Sequence, residues 1–293
     1  MTTSPVPLKR GALRFAKGHG TENDFVLIPD LDGSCELSAT DVRRLCDRRA
    51  GIGADGLIRI APSGNPNAPW FMDYRNADGS IAQMCGNGVR VVARYLATLG
   101  LSADAVTDVG PVDYVDVDTR SGIKRATFCD TSLISVDMGR PVVLGSSTVR
   151  VRTATDSIEL SGLGISMGNP HLACELRSVP LERLDLNYEP DFDAALFADG
   201  VNIEFFHHVE PLTGFDRHVQ MRVHERGVGE TRSCGTGICA VAVAALGECT
   251  SGSVVVDVPG GRLFTDVNPD RVILRGPAVI VANGVTSVLR DEP

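Results

Sequence analysis

Two stretches of this chain place a thiol where a thiol can react. In RSCGTGICAVAVAAL (232–246), Cys234 is followed by Gly-Thr-Gly and then by nine residues, Ile238 to Leu246, without a charged or strongly polar side chain. In QMCGNGVRVVARYL (83–96), Cys85 is followed by Gly-Asn-Gly and a second largely apolar run. A cysteine that opens a helix lies beside unpaired backbone N–H groups and the positive end of the helix dipole, and both favour the thiolate. A free thiol titrates near ~8.5 and helix-terminal ones fall by several units, so such a group serves as base or nucleophile near neutral pH. The glycines let a ligand approach the backbone closely, and the exposed amides suit a carboxylate.

The two stretches are copies in kind. MDYRNADGSIAQMCGNG (72–88) aligns with MRVHERGVGETRSCGTG (221–237), with Met72 and Met221 each thirteen residues before its cysteine and an offset of 149 between them. A lone Cys-Gly pair reads most simply as core packing; the duplication, with matching upstream spacing, argues for two like-folded halves instead. If those halves face each other, their thiols flank one cleft from opposite sides, the geometry of racemisation: one thiolate removes the proton from a Cα and the other thiol protonates the opposite face. The carbanion's carboxylate is held by pre-placed donors at the two helix N-termini. Facing, activated thiols also predict that oxidation links Cys85 to Cys234 in a disulfide and reversibly stops activity. A zinc site fits poorly, because no Cys-x-x-Cys occurs, the histidines are scattered, and Cys234, Cys239 and Cys249 lack a fourth partner at finger spacing. No Walker-type phosphate loop is present and the arrangement requires no pyridoxal cofactor.

The elements that position these groups are mostly strands. Apolar or alternating runs bounded by Gly, Pro, Asn and Asp predict strands at Phe25–Ile28, Leu57–Ile60, Tyr114–Val117, Leu133–Met138, His218–Val223, Val254–Val258, Arg271–Leu274 and Val279–Val281. SATDVRRLCDRR (38–49) has a Ser38/Asp41 cap signature and apolar positions at Val42, Leu45 and Cys46, which predicts an amphipathic surface helix. APSGNPNAP (61–69) is a loop. The helices behind Cys85 and Cys234, ended by Gly100 and Gly247, are apolar nearly all round and belong inside something, Arg90 and Arg94 giving the first a single polar row. The fold class expected is therefore α/β (α+β): two pseudosymmetric domains, each a curved, mostly antiparallel sheet around a central apolar helix. The domains fall at residues 1–132 plus 276–293, carrying Cys85, and 133–275, carrying Cys234.

The totals set outer bounds. A chain of 293 residues with 43% hydrophobic content and 31 glycines is long enough for about two turn-rich globular domains, and no run approaches the length of a membrane span. The N-terminus has no apolar stretch behind its basic residues, so a cytoplasmic location with reduced cysteines is expected. A net charge of −9 without a Lys/Arg cluster disfavours nucleic acid, and a membrane partner is likewise not expected.

With these pieces in view the chain resembles the diaminopimelate epimerase family, over nearly its whole length from FAKGHGTENDFVLI (15–28) to VPGGRL (258–263). The resemblance rests on GIGADGL, YRNADGSIAQMCGNGVR, MGNPH, DGVNIEF, HERGVGETRSCGTG and PGG. It implies a cofactor-independent isomerase that interconverts L,L- and meso-diaminopimelate on the lysine and peptidoglycan route, with Cys85 and Cys234 as the acid/base pair. It implies substrate contacts from Asn23, Asn76, Asn169, Asn202, Glu225 and Arg226, with the backbone of Gly86, Asn87, Gly235 and Thr236 holding the reacting carboxylate. His171 would stand near the thiols and Glu225 would support them. Glu225 suits the distal ammonium of the substrate and Arg226 its distal carboxylate. Two features depart from the family pattern: Gly56 stands where many relatives carry Gln, and a lead of about a dozen residues precedes LRFAKGHG, expected to be a disordered tail. A homodimer is admitted as a further association.

Rival readings stay open at this point. A racemase of the proline racemase type resembles the family in fold and paired cysteines, but a proline site has no distal ammonium and carboxylate to meet Glu225 and Arg226. A phenazine-type isomerase of the same architecture would not need the thiol pair, and a non-catalytic amino-acid-binding protein would not need activated thiols.

Overall fold

A computed structural model describes residues 12–107 and 110–289, so the expected N-terminal tail lies outside the described residues. The chain divides into two units. One takes in the chain up to Gly20, Asp24–Arg125 and the chain from Ala278 onward; the other takes in Thr21–Asn23 and Ala126–Pro277. Both are sheet-rich, with few helices.

In the first unit the elements are β1 (Leu13–Gly20), β2 (Asn23–Pro29), α1 (Ala39–Cys46), β3 (Gly56–Pro62), β4 (Trp70–Asn76), α2 (Gly86–Thr98), β5 (Ala103–Thr107) and β6 (Gly110–Asp118). The last strand of the chain, Val279–Thr286, runs antiparallel to β1. β2 and β3 are parallel, and β3 and β4 antiparallel. Helix α1 begins with the capping box the sequence predicts, Ser38 and Asp41 each bonding the other's backbone N–H, and buries Val42, Leu45 and Cys46 against Val26, Ile28 and Leu57. Helix α2 ends in the expected glycine: Gly100 is left-handed, and the Gly100 and Leu101 N–H groups bond back to Ala97 and Leu96 in a Schellman motif.

The two arginines of the polar row on α2 lie in different surroundings. Arg90 is fully buried, with Nη2 donating to Oδ1 of Asn87 one turn earlier at 2.8 Å, and Arg94 is half-buried, with Nε donating to the carbonyl of Ala278. A guanidinium three residues from an amide acceptor can satisfy part of its hydrogen-bonding locally, which permits burial in an otherwise apolar helix.

The second unit holds β7 (Lys124–Phe128), β8 (Leu133–Asp137), β9 (Val142–Arg152), β10 (Ser157–Ser166), β11 (Pro170–Glu175), a 3-10 turn at Leu181–Arg183, β12 (Asp191–Phe192), β13 (Asn202–His208), β14 (Arg217–Glu225), β15 (Gly229–Thr231), α3 (Gly235–Leu246), β16 (Gly252–Val258), β17 (Gly261–Asn268) and β18 (Arg271–Pro277); the closing strand of the first unit is β19. Most neighbours are antiparallel, but β11 with β13 and β14 with β16 are parallel. Helix α3 is built from Gly, Ala, Val, Ile and Cys and is buried on most sides, touching β10, β11, β13, β14, β16, β17 and β18. Small side chains let strands approach such a helix around its circumference.

The duplication seen in the sequence is repeated in the strand register. In the first unit Arg75 bridges Ile81, and in the second His224 pairs with Glu230, the same two positions displaced by the 149 residues that separate the cysteines. Ile58 pairs with Tyr74 and Glu204 pairs with Val223, again positions that correspond, so Ile58 and Glu204 occupy like places on β3 and β13. The parallel neighbours extend the match: Phe25 lies opposite Gly56 and His171 opposite Asn202. Gly56 leaves no room for a side chain, since a Cβ there would lie 2.7 Å from both the Arg75 carbonyl and the Tyr74 ring, and that ring packs edge-on to Phe25.

Candidate active site

Each cysteine caps a helix. Cys85 is the extended N-cap of α2 and Cys234 that of α3, and each gives its carbonyl to the first helical bond, to Val89 and Ile238 respectively. Neither first turn carries an acidic residue. The amides of Gly86 and Asn87, and of Gly235 and Thr236, thus belong to helix ends with dipoles suited to an anion. Gly88 and Gly237, each three residues beyond its cysteine, face the like-placed residues. A Cβ on Gly88 would lie 2.9 Å from Ile58 Cδ1 and Met72 Cε, and a Cβ on Gly237 would lie 2.4 Å from Glu204 Oε1.

In the second unit five side chains form a hydrogen-bonded chain that ends at a thiol. Glu204 Oε1 is 2.7 Å from His171 Nδ1, His171 Nε2 is 3.2 Å from Asn169 Oδ1, Asn169 Nδ2 donates to Thr236 Oγ1 at 3.4 Å, and Thr236 Oγ1 is 3.6 Å from Cys234 Sγ. His171 and Glu204 are both fully buried. Asn202 belongs to the same unit: its Nδ2 donates to the Pro170 carbonyl and its Oδ1 accepts from the Arg226 N–H, while Glu225 accepts from the Thr231 hydroxyl. The Arg226 side chain is exposed, with Nη1 on the Asp199 carbonyl.

The Cys234 thiol departs from the expectation of a readily ionised sulfur. Burial pushes it well above the usual thiol range, and the carboxylates of Glu225 and Glu204 push it the same way; bonds from Thr236 and the Gly237 backbone pull it down without winning. Desolvation and two nearby negative groups outweigh one helix end.

A turn in left-handed backbone packs against Ser233, the residue before Cys234. Thr21 and Glu22 both adopt left-handed backbone, at φ 49° and 61°, and lead into buried Asn23. The Thr21 hydroxyl meets that of Ser233 at 2.7 Å, Glu22 pairs with Arg232, and Arg232 donates to the Pro259 carbonyl. A Cβ on Gly260 would lie 1.9 Å from the Thr21 carbonyl oxygen, so the Pro-Gly-Gly turn is glycine there for lack of room.

In the first unit the predicted residues are more dispersed. Asn87 is buried and holds Arg90, leaving its backbone amide as the group at the helix end. Asn76 ends β4 with Nδ2 on Ser80 Oγ at 3.0 Å, inside the turn that follows the strand. All eight cysteines are reduced thiols. Among the described residues no group of three or more His, Cys, Asp or Glu side chains is arranged to hold a metal ion, and no helix is long and apolar enough to cross a membrane.

Sequence reasoning missed Glu204. Its signal was an acidic residue in the first five residues of β13, 202–206, whose other members are Asn, Ile and Phe and which are all buried.

The fold recurs in solved structures of low identity. A phenazine biosynthesis protein of the PhzF family from Bacillus anthracis superposes with a TM-score of 0.68 at 14% identity, covering 94% of this chain and 99% of that one. A predicted epimerase from Pseudomonas aeruginosa gives 0.65 at 14% identity over 95% of this chain and 100% of that one. A probable proline racemase from Agrobacterium radiobacter gives 0.61 at 14% identity over 94% of this chain and 92% of that one. At that identity the likeness is one of fold. Sequence relatives are far nearer: diaminopimelate epimerases of Rhodococcus opacus and Rhodococcus jostii are 46% and 47% identical, each match covering 92% of this chain and 96% of the relative. That of Thermobifida fusca is 45% identical over 93% of this chain and 97% of its own. The family model for diaminopimelate epimerase matches residues 15–144 and 164–281, and the chain belongs to the diaminopimelate epimerase family.

Proposed function

We propose that this chain is a diaminopimelate epimerase whose proton transfer is carried by the thiols of Cys85 and Cys234. The enzyme is an isomerase acting on a small amino acid, interconverting L,L- and meso-diaminopimelate in lysine biosynthesis. The observation that carries this reading is the 45–47% identity to diaminopimelate epimerases across more than nine-tenths of the chain.

The chemistry follows from the residue types. One sulfur, as thiolate, takes the Cα proton, and the electron pair of that C–H bond passes into the adjacent carboxylate. The other sulfur, as thiol, delivers its proton to the opposite face, and the configuration inverts. The two sulfurs end with exchanged protonation states. Cys234, held neutral by burial and by Glu225 and Glu204, is suited to be the donor in the first step. The amides of Gly86, Asn87, Gly235 and Thr236 stabilise the charge that builds on the carboxylate. Asn23, Asn76, Asn169, Asn202, Glu225 and Arg226 recognise the rest of the substrate, Glu225 through the distal ammonium and Arg226 through the distal carboxylate. A cytoplasmic enzyme, active without a nucleic-acid or membrane partner and assembling as a homodimer, completes the reading; light scattering of the purified chain reads the assembly.

Proton exchange at Cα in deuterated water tests the activity. Exchange is expected with L,L- and meso-diaminopimelate and not with proline; exchange with proline alone would establish the proline racemase reading instead. Cys85→Ala and Cys234→Ala are each expected to abolish epimerisation while circular dichroism stays native. Full turnover by either variant would remove that cysteine from the mechanism.

A further inference from the structure

The two units differ at corresponding positions of their sheets. Where the first unit has Phe25 and Ile58, the second has His171 and Glu204 at the like places in the register. Both polar side chains are fully buried, and Glu204 Oε2 has no hydrogen-bond partner among the described residues. Burying an ionisable pair is costly unless its hydrogen bonds are made and serve some arrangement. The cost is compounded by Gly237, whose missing side chain leaves the space that the Glu204 carboxyl occupies.

The polarity of the hydrogen-bonded chain says what the pair arranges. Asn169 donates through Nδ2 to Thr236, so it turns Oδ1 toward His171, and an oxygen acceptor there requires a proton on Nε2. Glu204 at Nδ1 favours that state, either as a carboxylate beside a doubly protonated ring or as a carboxyl donating to Nδ1. With Thr236 Oγ1 accepting from Asn169, its own hydroxyl proton is left to point at Cys234 Sγ. Reversing the ring would reverse Asn169, and Thr236 would then donate to Asn169 and turn its proton from the sulfur.

We propose that Glu204 is the positioning residue of the Cys234 half: by fixing His171 with Nε2–H toward Asn169, it sets the direction of the chain so that the Thr236 hydroxyl donates to the sulfur whenever Cys234 is ionised. This rests on the reading of Cys234 as a proton-transfer group. The ionisable side chains that act on that sulfur are Glu225 from β14 and Glu204 from β13, and His171 from β11 lies three hydrogen bonds away along the chain. Loss of the Glu204 charge alone would make the thiol easier to ionise; loss of the Thr236 donor would make it harder. The two effects have opposite signs.

The test uses Glu204→Ile, which installs the residue of the first unit, and Glu204→Gln, which keeps the shape and can donate to Nδ1. The pH dependence of Cys234 alkylation by iodoacetamide is read by tandem mass spectrometry of the modified peptide, alongside kcat and KM for epimerisation. In E204I the alkylation midpoint is expected to rise and kcat to fall by about 10- to 100-fold, with KM within about twofold, as for a misaligned reacting group. In E204Q both the midpoint and most of kcat are expected to return. A midpoint that falls or stays in E204I, or an E204Q no better than E204I, overturns the proposal. Should E204I fail to fold, Glu204→Asp takes its place, keeping the charge but withdrawing it from His171; unchanged midpoint and kcat in E204D would equally overturn it. Turnover surviving in Cys234→Ala would instead remove the catalytic reading and leave an alkylation shift standing.

Discussion

At the scale of single residues, the sequence placed a thiol at each helix start, and both cysteines are N-caps. The same reasoning expected easy ionisation, because it weighed the helix end and had no view of burial. Glu204 lies thirty residues from Cys234 along the chain, and Glu225 reaches the sulfur only because β14 returns past α3. Burial first, and then these two carboxylates, set the sign at Cys234. Iodoacetamide should therefore label Cys234 slowly at neutral pH and faster only as the pH is raised past the ordinary thiol range near ~8.5. Peptide-resolved labelling across pH 6–11 checks this, and rapid neutral-pH labelling of Cys234 in the free enzyme would contradict it. His171, Asn169 and Thr236 were legible only through family resemblance; their linkage into one chain of bonds needed the fold.

At the scale of elements, all eight predicted strands and all three helices are present, and three of the strands missed show what hid them. β9 alternates exposed and buried residues but interrupts its pattern with Gly-Ser-Ser, and β10 carries Ser and Gly at intervals that read as turns. β13 is buried on both faces despite Asn202 and Glu204, so neither alternation nor a clean apolar run marks it. The glycines that join elements rank by what a side chain would strike. Gly260→Ala drives a Cβ into the Thr21 backbone oxygen and is expected to cost the most, beyond the usual ~1–3 kcal/mol of overpacking. Gly237→Ala meets the held Glu204 carboxyl and should come next, whereas Gly88→Ala meets the mobile ends of Ile58 and Met72 and should cost least. Urea denaturation of the three variants gives the order, and a Gly88→Ala less stable than Gly260→Ala would show the ranking to be wrong.

At the scale of the whole molecule, net charge and length do not say which carboxylates hold the fold. Asp24, Asp73 and Asp257 all sit below the ordinary carboxylate range: burial raises each, but bonds from Arg48 and Lys17, from Arg120 and Arg75, and from Arg262 and His218 outweigh it. Each holds its proton more weakly folded than unfolded, so the stability it contributes is complete above an unfolded value of about 3.9 and is lost as pH falls toward the folded values. Thermal midpoints should hold from neutrality to about pH 5 and drop steeply below about pH 4; in Asp73→Asn that acid slope should be shallower, and an identical slope would remove Asp73 from the account. One feature of the duplicated frame reaches further still. With Phe25 and Ile58 as an oily floor in one unit and His171 and Glu204 as a polar floor at the like places in the other, the chain supplies its own control. Solvent isotope effects measured from the two stereoisomers should then differ in size, although the equilibrium between those isomers owes nothing to either floor.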